Sequence, residues 1–370
     1  MALDAVSVQA YCVCKGEYMA KINTSNSDAL FPILNQPDQP HIGPLARAAQ
    51  QAPLDSEGFL TEYRPLESRS LIGKVISRRG VPFTHAINPY RGCEFACRYC
   101  YARYTHEFLE MHDPAEFERK IYFKQNAAWL LRQELRKLPQ GTHIGIGSAT
   151  DPYQPIERRQ RITRSIWEVF AETGGYSIGL VTKSVLVLRD LELLQKVAKK
   201  NRLSIHLTVT TMDTRLARLL EPRAPRPDLR IHALKRLRQA GIRAGVLCSP
   251  IMPGINDARS SMAAVARAAA EADANFFSAG ALFLKPCSQP TFFAFLREHY
   301  PALMRSYELR YGQNAFVSAE YRKRIAEIVD SISREFRLGH RFEQMPMKTG
   351  LDFAARREDP QGYLPFAQSA

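Results

Sequence analysis

No apolar run in this 370-residue chain approaches the roughly 18 residues that a membrane-spanning helix requires, so no membrane partner is expected. The N-terminus carries Asp4 early and lacks both a basic leading region and a clear cleavage site. It does not read as a secretory signal, and the expected location is the cytoplasm. Cysteine is sparse and uneven: Cys12, Cys14, Cys93, Cys97, Cys100, Cys248 and Cys287 make seven, an odd and clustered set. That pattern argues against a disulfide framework and fits reduced thiols with a metal site. Acidic residues are in deficit, 37 Asp plus Glu against 51 Lys plus Arg, for a formal charge of +14. A cationic surface draws phosphate backbones by counterion release, so DNA or RNA is a candidate partner. The remaining composition is that of a water-soluble globular chain, 45% hydrophobic and 24% charged, long enough for one large domain or two ordinary ones.

Three of the cysteines share the stretch Asn88-Pro89-Tyr90-Arg91-Gly92-Cys93-Glu94-Phe95-Ala96-Cys97-Arg98-Tyr99-Cys100-Tyr101, spaced Cys-x3-Cys-x2-Cys. A tetrahedral zinc or a four-cysteine iron-sulfur site needs four protein ligands, and this loop supplies three. If the three bind a cubane of four irons and four sulfides, one iron stays open to a substrate or cofactor. The other readings are a zinc ion completed by a distant His85 or His106, or surface thiols with no ligand role. Spacing alone leaves them all open.

Residues 1–80 read as an N-terminal extension. Its first 25 residues show no period, Met19 offers a second plausible start, Cys12 and Cys14 look incidental, and Gln36 to Pro53 reads as a loop or linker. Leu60 to Ser77 suits strands or an arm over a barrel. From Phe83 onward strand and helix signals alternate. Strands are expected at residues 83–88, 143–148, 176–182, 203–210, 242–250 and 276–284. One helix is expected to run from Asp113-Pro114 to Pro139, with Ala128, Leu131, Leu135 and Leu138 on one face; others fall at 161–172, 187–199, 214–220, 228–240 and 259–272. About six strand-helix units argue a parallel sheet covered by helices, either open and doubly wound or a partial barrel. The expected fold is α/β, a partial (β/α)6 TIM-type barrel over residues 81–285, with C-terminal helices over 286–340 and a polar tail over 341–370. Functional groups then gather at the carboxyl ends of the strands, where the cysteine loop already lies.

The second strand ends in Gly147-Ser148-Ala149-Thr150-Asp151-Pro152-Tyr153-Gln154-Pro155-Ile156-Glu157. By itself this could be a turn in which Asp151 caps the next segment. Together with the cysteine loop it resembles the radical S-adenosylmethionine (SAM) superfamily, and the form Thr-Asp-Pro-Tyr-x-Pro-x-Glu is similar to its spore photoproduct lyase branch. The resemblance implies a [4Fe-4S] cluster on Cys93, Cys97 and Cys100 whose open iron chelates SAM. It also implies an electron donor such as flavodoxin or ferredoxin and cleavage of SAM to a 5'-deoxyadenosyl radical. Thr150 and Asp151 would grip the methionyl amino group, Lys183 the carboxylate, and Thr208 or Thr210 the ribose, while the loop from Ser249 to Asp257 resembles the adenine side. Tyr99 and Tyr101 flank Cys100 and could pack against the adenine. Glu221 and Arg230 form either a buried or an ordinary surface ion pair, and His206 is a proton carrier or a core histidine.

The lyase carries a cysteine just before the hydroxylic and acidic pair, where this chain has Ala149, which argues against literal lyase activity. Cys248 could supply a hydrogen atom instead, or be a small buried hydrophobe. The expected function is a radical SAM enzyme acting on an unidentified substrate, nucleic acid being one candidate. The alternative is a non-catalytic zinc or nucleic-acid-binding module.

Overall fold

A computed structural model of the protein describes residues 42–58, 60–75 and 83–341. The expectations for Cys12, Cys14, the Met19 start and the tail beyond Arg341 lie outside the described residues. In chain order the strands are β1 (Ser56–Glu57), β2 (Glu62–Leu66), β3 (Ile72–Lys74), β4 (His85–Ile87), β5 (Tyr90–Arg91), β6 (Lys120–Lys124), β7 (His143–Ile146), β8 (Ser177–Thr182), β9 (Arg202–Thr208), β10 (Arg243–Ile251) and β11 (Phe277–Ala281). Strands β4, β7, β8, β9, β10 and β11 lie side by side in that order, each parallel to the next, and β3 pairs antiparallel with β4 at one edge. Spatial order that matches chain order has no point of reversal, which decides for a partial barrel over an open doubly wound sheet. Among the described pairings, the end strands β3 and β11 are not joined to each other.

The barrel strands are near-continuous runs of small and apolar residues, as strands buried on both faces are. In β8, Ile178 and Leu180 are fully buried, while Val181 faces the barrel interior and lines its cavity. The helix Ile162–Glu172 answers with Ile166, Trp167, Val169 and Phe170, all fully buried. Two inward positions are glycines because neighbouring atoms already occupy the space, at Gly245 first of all the Phe276 carbonyl oxygen, 2.4 Å from where a Cβ would stand. A Cβ on Gly145 would lie 2.8 Å from the Phe83 ring, and one on Gly245 would lie 2.6 Å from the Phe276 ring.

Three expectations are corrected. Residues 44–51, read as loop, form a helix with Pro44 in its first turn and with Ala46 and Ala49 buried; alanine and glutamine are strong helix formers, and proline is well placed at a helix start. The single helix expected between Asp113 and Pro139 is broken into Glu116–Arg119 and Ala127–Leu135 by β6. There Ile121, Tyr122 and Phe123 favour a strand and pair with β2 and β5. Residues 338–340, within the stretch expected to be helical, instead run beside the start of β11 and parallel to it: Gly339 bridges Phe276, and Phe277 N–H donates to the Gly339 carbonyl at 3.3 Å.

Crowding inside the barrel gives a stability test. Gly245→Ala should cost about 1–3 kcal/mol, the usual range for overpacking a core. Gly43→Ala, where an added Cβ meets nothing within 4 Å, should cost less, about 0.5 kcal/mol from the weaker helix N-cap. Urea unfolding midpoints of the two variants make the comparison.

Candidate active site

A cavity opens at the carboxyl ends of the barrel strands, with roughly 1100 Å³ of space between its atoms when the mouth is included. Cys93, Cys97 and Cys100 line one wall together with Tyr99 and Tyr101, and the loop after β7, Lys183 and Thr208 line others.

The cysteine loop is shaped by backbone constraints. Gly92 sits at φ +78°, and a Cβ there would lie 2.6 Å from the Lys120 carbonyl, so only glycine turns the chain at this point. Cys93 N–H donates to the Phe117 carbonyl at 2.9 Å, and Ser288 Oγ donates to the Cys100 carbonyl at 2.7 Å. Asn88 accepts from Ala149 N–H at 2.9 Å and donates to Ser148 Oγ at 3.1 Å, joining the ends of β4 and β7. All three thiols are free, and burial pushes each of them up, Cys97 to about 12. Without metal they are protonated near neutral pH, so a thiophilic metal must displace their protons to bind.

The three cysteines are one ligand short of the four that a structural zinc takes. Zinc needs every ligand about 2.3 Å or less from one point, and among the described residues no three His, Cys, Asp or Glu side chains gather around one ion position. His106, a candidate fourth ligand, is buried with Nε2 3.0 Å from the Lys120 carbonyl and its ring edge-on to Phe117 and Tyr122. The other, His85, has Nδ1 2.9 Å from Thr84 Oγ1.

The loop after β7 starts at Gly147, φ +83°, where a Cβ would run into the Val181 carbonyl. Asp151 Oδ1 accepts from Tyr153 N–H at 2.9 Å and Thr182 Oγ1 at 2.7 Å, and its Oδ2 accepts from Lys183 N–H at 2.7 Å. The carboxylate thus caps its own turn and ties it to the end of β8, while still lining the cavity. Burial raises its pKa more than these hydrogen bonds lower it. Thr150 Oγ1 donates to the Tyr90 carbonyl at 3.1 Å. Tyr153 and Glu157 point away from the cavity into the protein. The Tyr153 hydroxyl donates to Asp190 at 3.0 Å and accepts from Trp167 Nε1 at 2.9 Å.

Lys183 reaches the cavity with Nζ 5.7 Å from the Tyr99 ring centre. Burial disfavours its charge, but the Cys97 sulfur, once ionised, and the Glu221 carboxylate outweigh that and raise its pKa. Of the two candidate hydroxyls, Thr208 lines the cavity, whereas Thr210 Oγ1 turns to Glu221 at 3.3 Å. Glu221 and Arg230 form a fully buried ion pair at 2.6 Å, which settles the choice between buried and surface pairs. Arg230 also donates to the Thr208 carbonyl at 3.0 Å and to the Pro225 carbonyl at 2.7 Å, and the Tyr99 hydroxyl donates to Glu221. The Tyr101 hydroxyl donates to the Ser148 carbonyl.

Two sequence candidates are placed elsewhere. Cys248 is buried outside the cavity lining with Sγ 3.7 Å from the Thr210 carbonyl, because Leu247 and Ser249 take the inward positions of β10. His206 packs on Phe276 with ring centres 4.8 Å apart, and burial holds its pKa well below the ordinary range, as befits a neutral core histidine. The wall from Ser278 to Phe283 and the buried Arg341 also line the cavity and were missed. Arg341 arrives through the pairing of Gly339 with Phe276, which no local pattern announces.

A sequence profile of the Radical SAM superfamily matches residues 87–264. An uncharacterized protein of Methanocaldococcus jannaschii is 30% identical over 251 residues, 68% of this chain and 86% of that protein. One from Mycobacterium tuberculosis is 29% identical over 282 residues, 76% of this chain and 83% of that protein. Among solved structures, spore photoproduct lyase superposes with a TM-score of 0.55 at 19% identity, covering 74% of this chain and 79% of the lyase chain. Another form of it, carrying AdoMet and dinucleoside spore photoproduct, gives 0.53 at 14% identity, covering 73% and 78%. These likenesses show the fold.

Because burial lowers His106 from 6.5 to about 4, the folded state holds the neutral ring. Its stabilising contribution is present above pH 6.5 and is lost as pH falls toward 4. A His106→Gln variant, which does not titrate, should lose less stability over that interval. Urea midpoints measured across it check the sign.

Proposed function

The chain belongs to the radical SAM superfamily, and from that premise we propose that Cys93, Cys97 and Cys100 hold a [4Fe-4S] cluster and that the cavity beside them takes SAM. The observation that carries this reading is the convergence of three free thiols, Lys183, Thr208 and the Thr150–Asp151 turn on one cavity at the strand ends. When bound, the cluster with an electron from a flavodoxin- or ferredoxin-type donor supplies the reductive cleavage of SAM to a 5'-deoxyadenosyl radical. The chain's own part is to bind and orient. Lys183 presents a cation to the cofactor carboxylate, the Thr150–Asp151 turn faces its amino group, and Thr208 offers a hydroxyl to the ribose. Tyr101, anchored through its hydroxyl, presents its ring as a wall for the adenine, and Tyr99 does the same from its bond to Glu221.

The substrate is proposed to be nucleic acid, supported by the net charge of +14 and by the dinucleoside lesion bound by the solved lyase. The reaction is not the lyase's own. Ala149 leaves that strand end without a thiol, and among the described residues the cavity-lining cysteines are the three cluster ligands. A cytoplasmic, reducing location suits the free thiols, and among the described residues no helix is long and apolar enough to cross a membrane.

Anaerobically reconstituted protein should bind iron and sulfide in cubane proportion and release 5'-deoxyadenosine when reduced with SAM, and Cys97→Ala should abolish the release. Intact SAM after reduction, or zinc as the metal that co-purifies, would contradict the reading. Binding to DNA or RNA oligonucleotides should weaken steeply as salt rises; a flat dependence would argue against phosphate contacts.

A further inference from the structure

Among the side chains that tie the cysteine loop to the loop after β7, Gln154 lies outside the cavity lining. Gln154 is fully buried. Its Nε2 donates to the Gly92 carbonyl at 3.1 Å, and its Oε1 accepts from the Glu94 N–H at 2.9 Å. The two backbone groups flank Cys93, so the side-chain amide pairs with Cys93's neighbours as a strand partner would. Two further contacts brace the same segment. The Glu94 carboxylate accepts from the Tyr63 hydroxyl at 2.7 Å and from Ile156 N–H at 2.9 Å. Glu94, whose side chain would be a solvated charge in an exposed loop, is therefore held within the protein, and Cys93 is left with little freedom about its Cα.

We propose that Gln154 is a positioning residue: it fixes Cys93, and through it the cluster, relative to the turn that carries Thr150 and Asp151. The inference rests on the cofactor reading above. Its physical basis is that Gln154 and Asp151 belong to one turn, with Gln154 N–H donating to the Asp151 carbonyl at 3.3 Å. A shift of the turn moves both sites together, and loss of the amide lets them move apart. A glutamine is suited to the place because it supplies one donor and one acceptor without charge. Glutamate keeps the acceptor, loses the donor and sets a carboxylate against the Gly92 carbonyl; methionine keeps the length and loses both bonds.

The test compares wild type, Gln154→Glu and Gln154→Met after anaerobic reconstitution. SAM affinity is read by equilibrium binding, and the reduced cluster by its electron paramagnetic resonance spectrum with and without SAM. Both variants should retain iron, weaken SAM binding by about tenfold, the low end of what outer contacts of metal sites contribute to metal affinity or activity, and lose the SAM-induced spectral change. Wild-type affinity and spectra in either variant would overturn the inference. A wild-type protein that assembles no cluster would instead overturn the cofactor reading. Amide hydrogen exchange in metal-free protein decides the inference independently, even if a variant fails to fold. The Glu94 N–H should be protected in wild type, and rapid exchange there would overturn the proposed clamp.

Discussion

The geometry of the cavity depends on a carboxylate that never reaches it. Glu157 is fully buried and accepts from the Tyr90 hydroxyl, from Thr163 N–H at 2.8 Å, from Arg164 N–H at 3.2 Å and from Arg189 at 2.6 Å. A buried charge is costly unless it is fully paired, and this one is. Its partners come from the strand just before the cysteine loop, the start of the helix after β7, and the segment after β8. Asp190 works beside it, held by Arg164 at 2.6 Å, by Arg189 at 2.7 Å and by the Tyr153 hydroxyl. The Tyr and Glu of the Thr-Asp-Pro-Tyr-x-Pro-x-Glu segment are thus foundations for its Thr and Asp, which face the cavity.

A second buried network lies under the cysteine loop. Burial would raise the pKa of Glu221, but Arg230 and Lys183 outweigh it and hold the carboxyl below its ordinary value. The ionised carboxylate orients the Tyr99 hydroxyl and lies close enough to Lys183 to favour its charge. One anion thereby supports both an aromatic wall and a cation of the cavity. The thiols obey the opposite logic, since burial keeps them neutral until a metal takes their protons.

Much of this was legible in the sequence wherever the signal was local. The alternation of apolar strands and amphipathic helices placed the barrel strands, because both patterns repeat within a few residues. Cysteine spacing marked the loop, and the hydroxylic and acidic cluster marked the turn after β7. Distant pairing was not legible. Whether Thr208 or Thr210 faces inward depends on the barrel interior, and Glu221 reaches Tyr99 across 122 residues of chain. Cys248 was open between a hydrogen-atom donor and a small buried hydrophobe, and the pleat of β10 turns it away from the cavity. The short helix at residues 44–51 was hidden by counting proline and glycine as breakers, when Pro44 stands where a helix can begin.

The part of the cavity wall that sequence motifs do not describe is made by the small residues of β11, by Ala149 and by Arg341. The central claim is narrower and concerns the open position beside three cysteines. Its most direct measurement is the Mössbauer spectrum of iron-loaded protein before and after SAM is added. One iron of the four should change its environment while the three cysteine-bound irons keep theirs. Four unchanged irons would contradict the account.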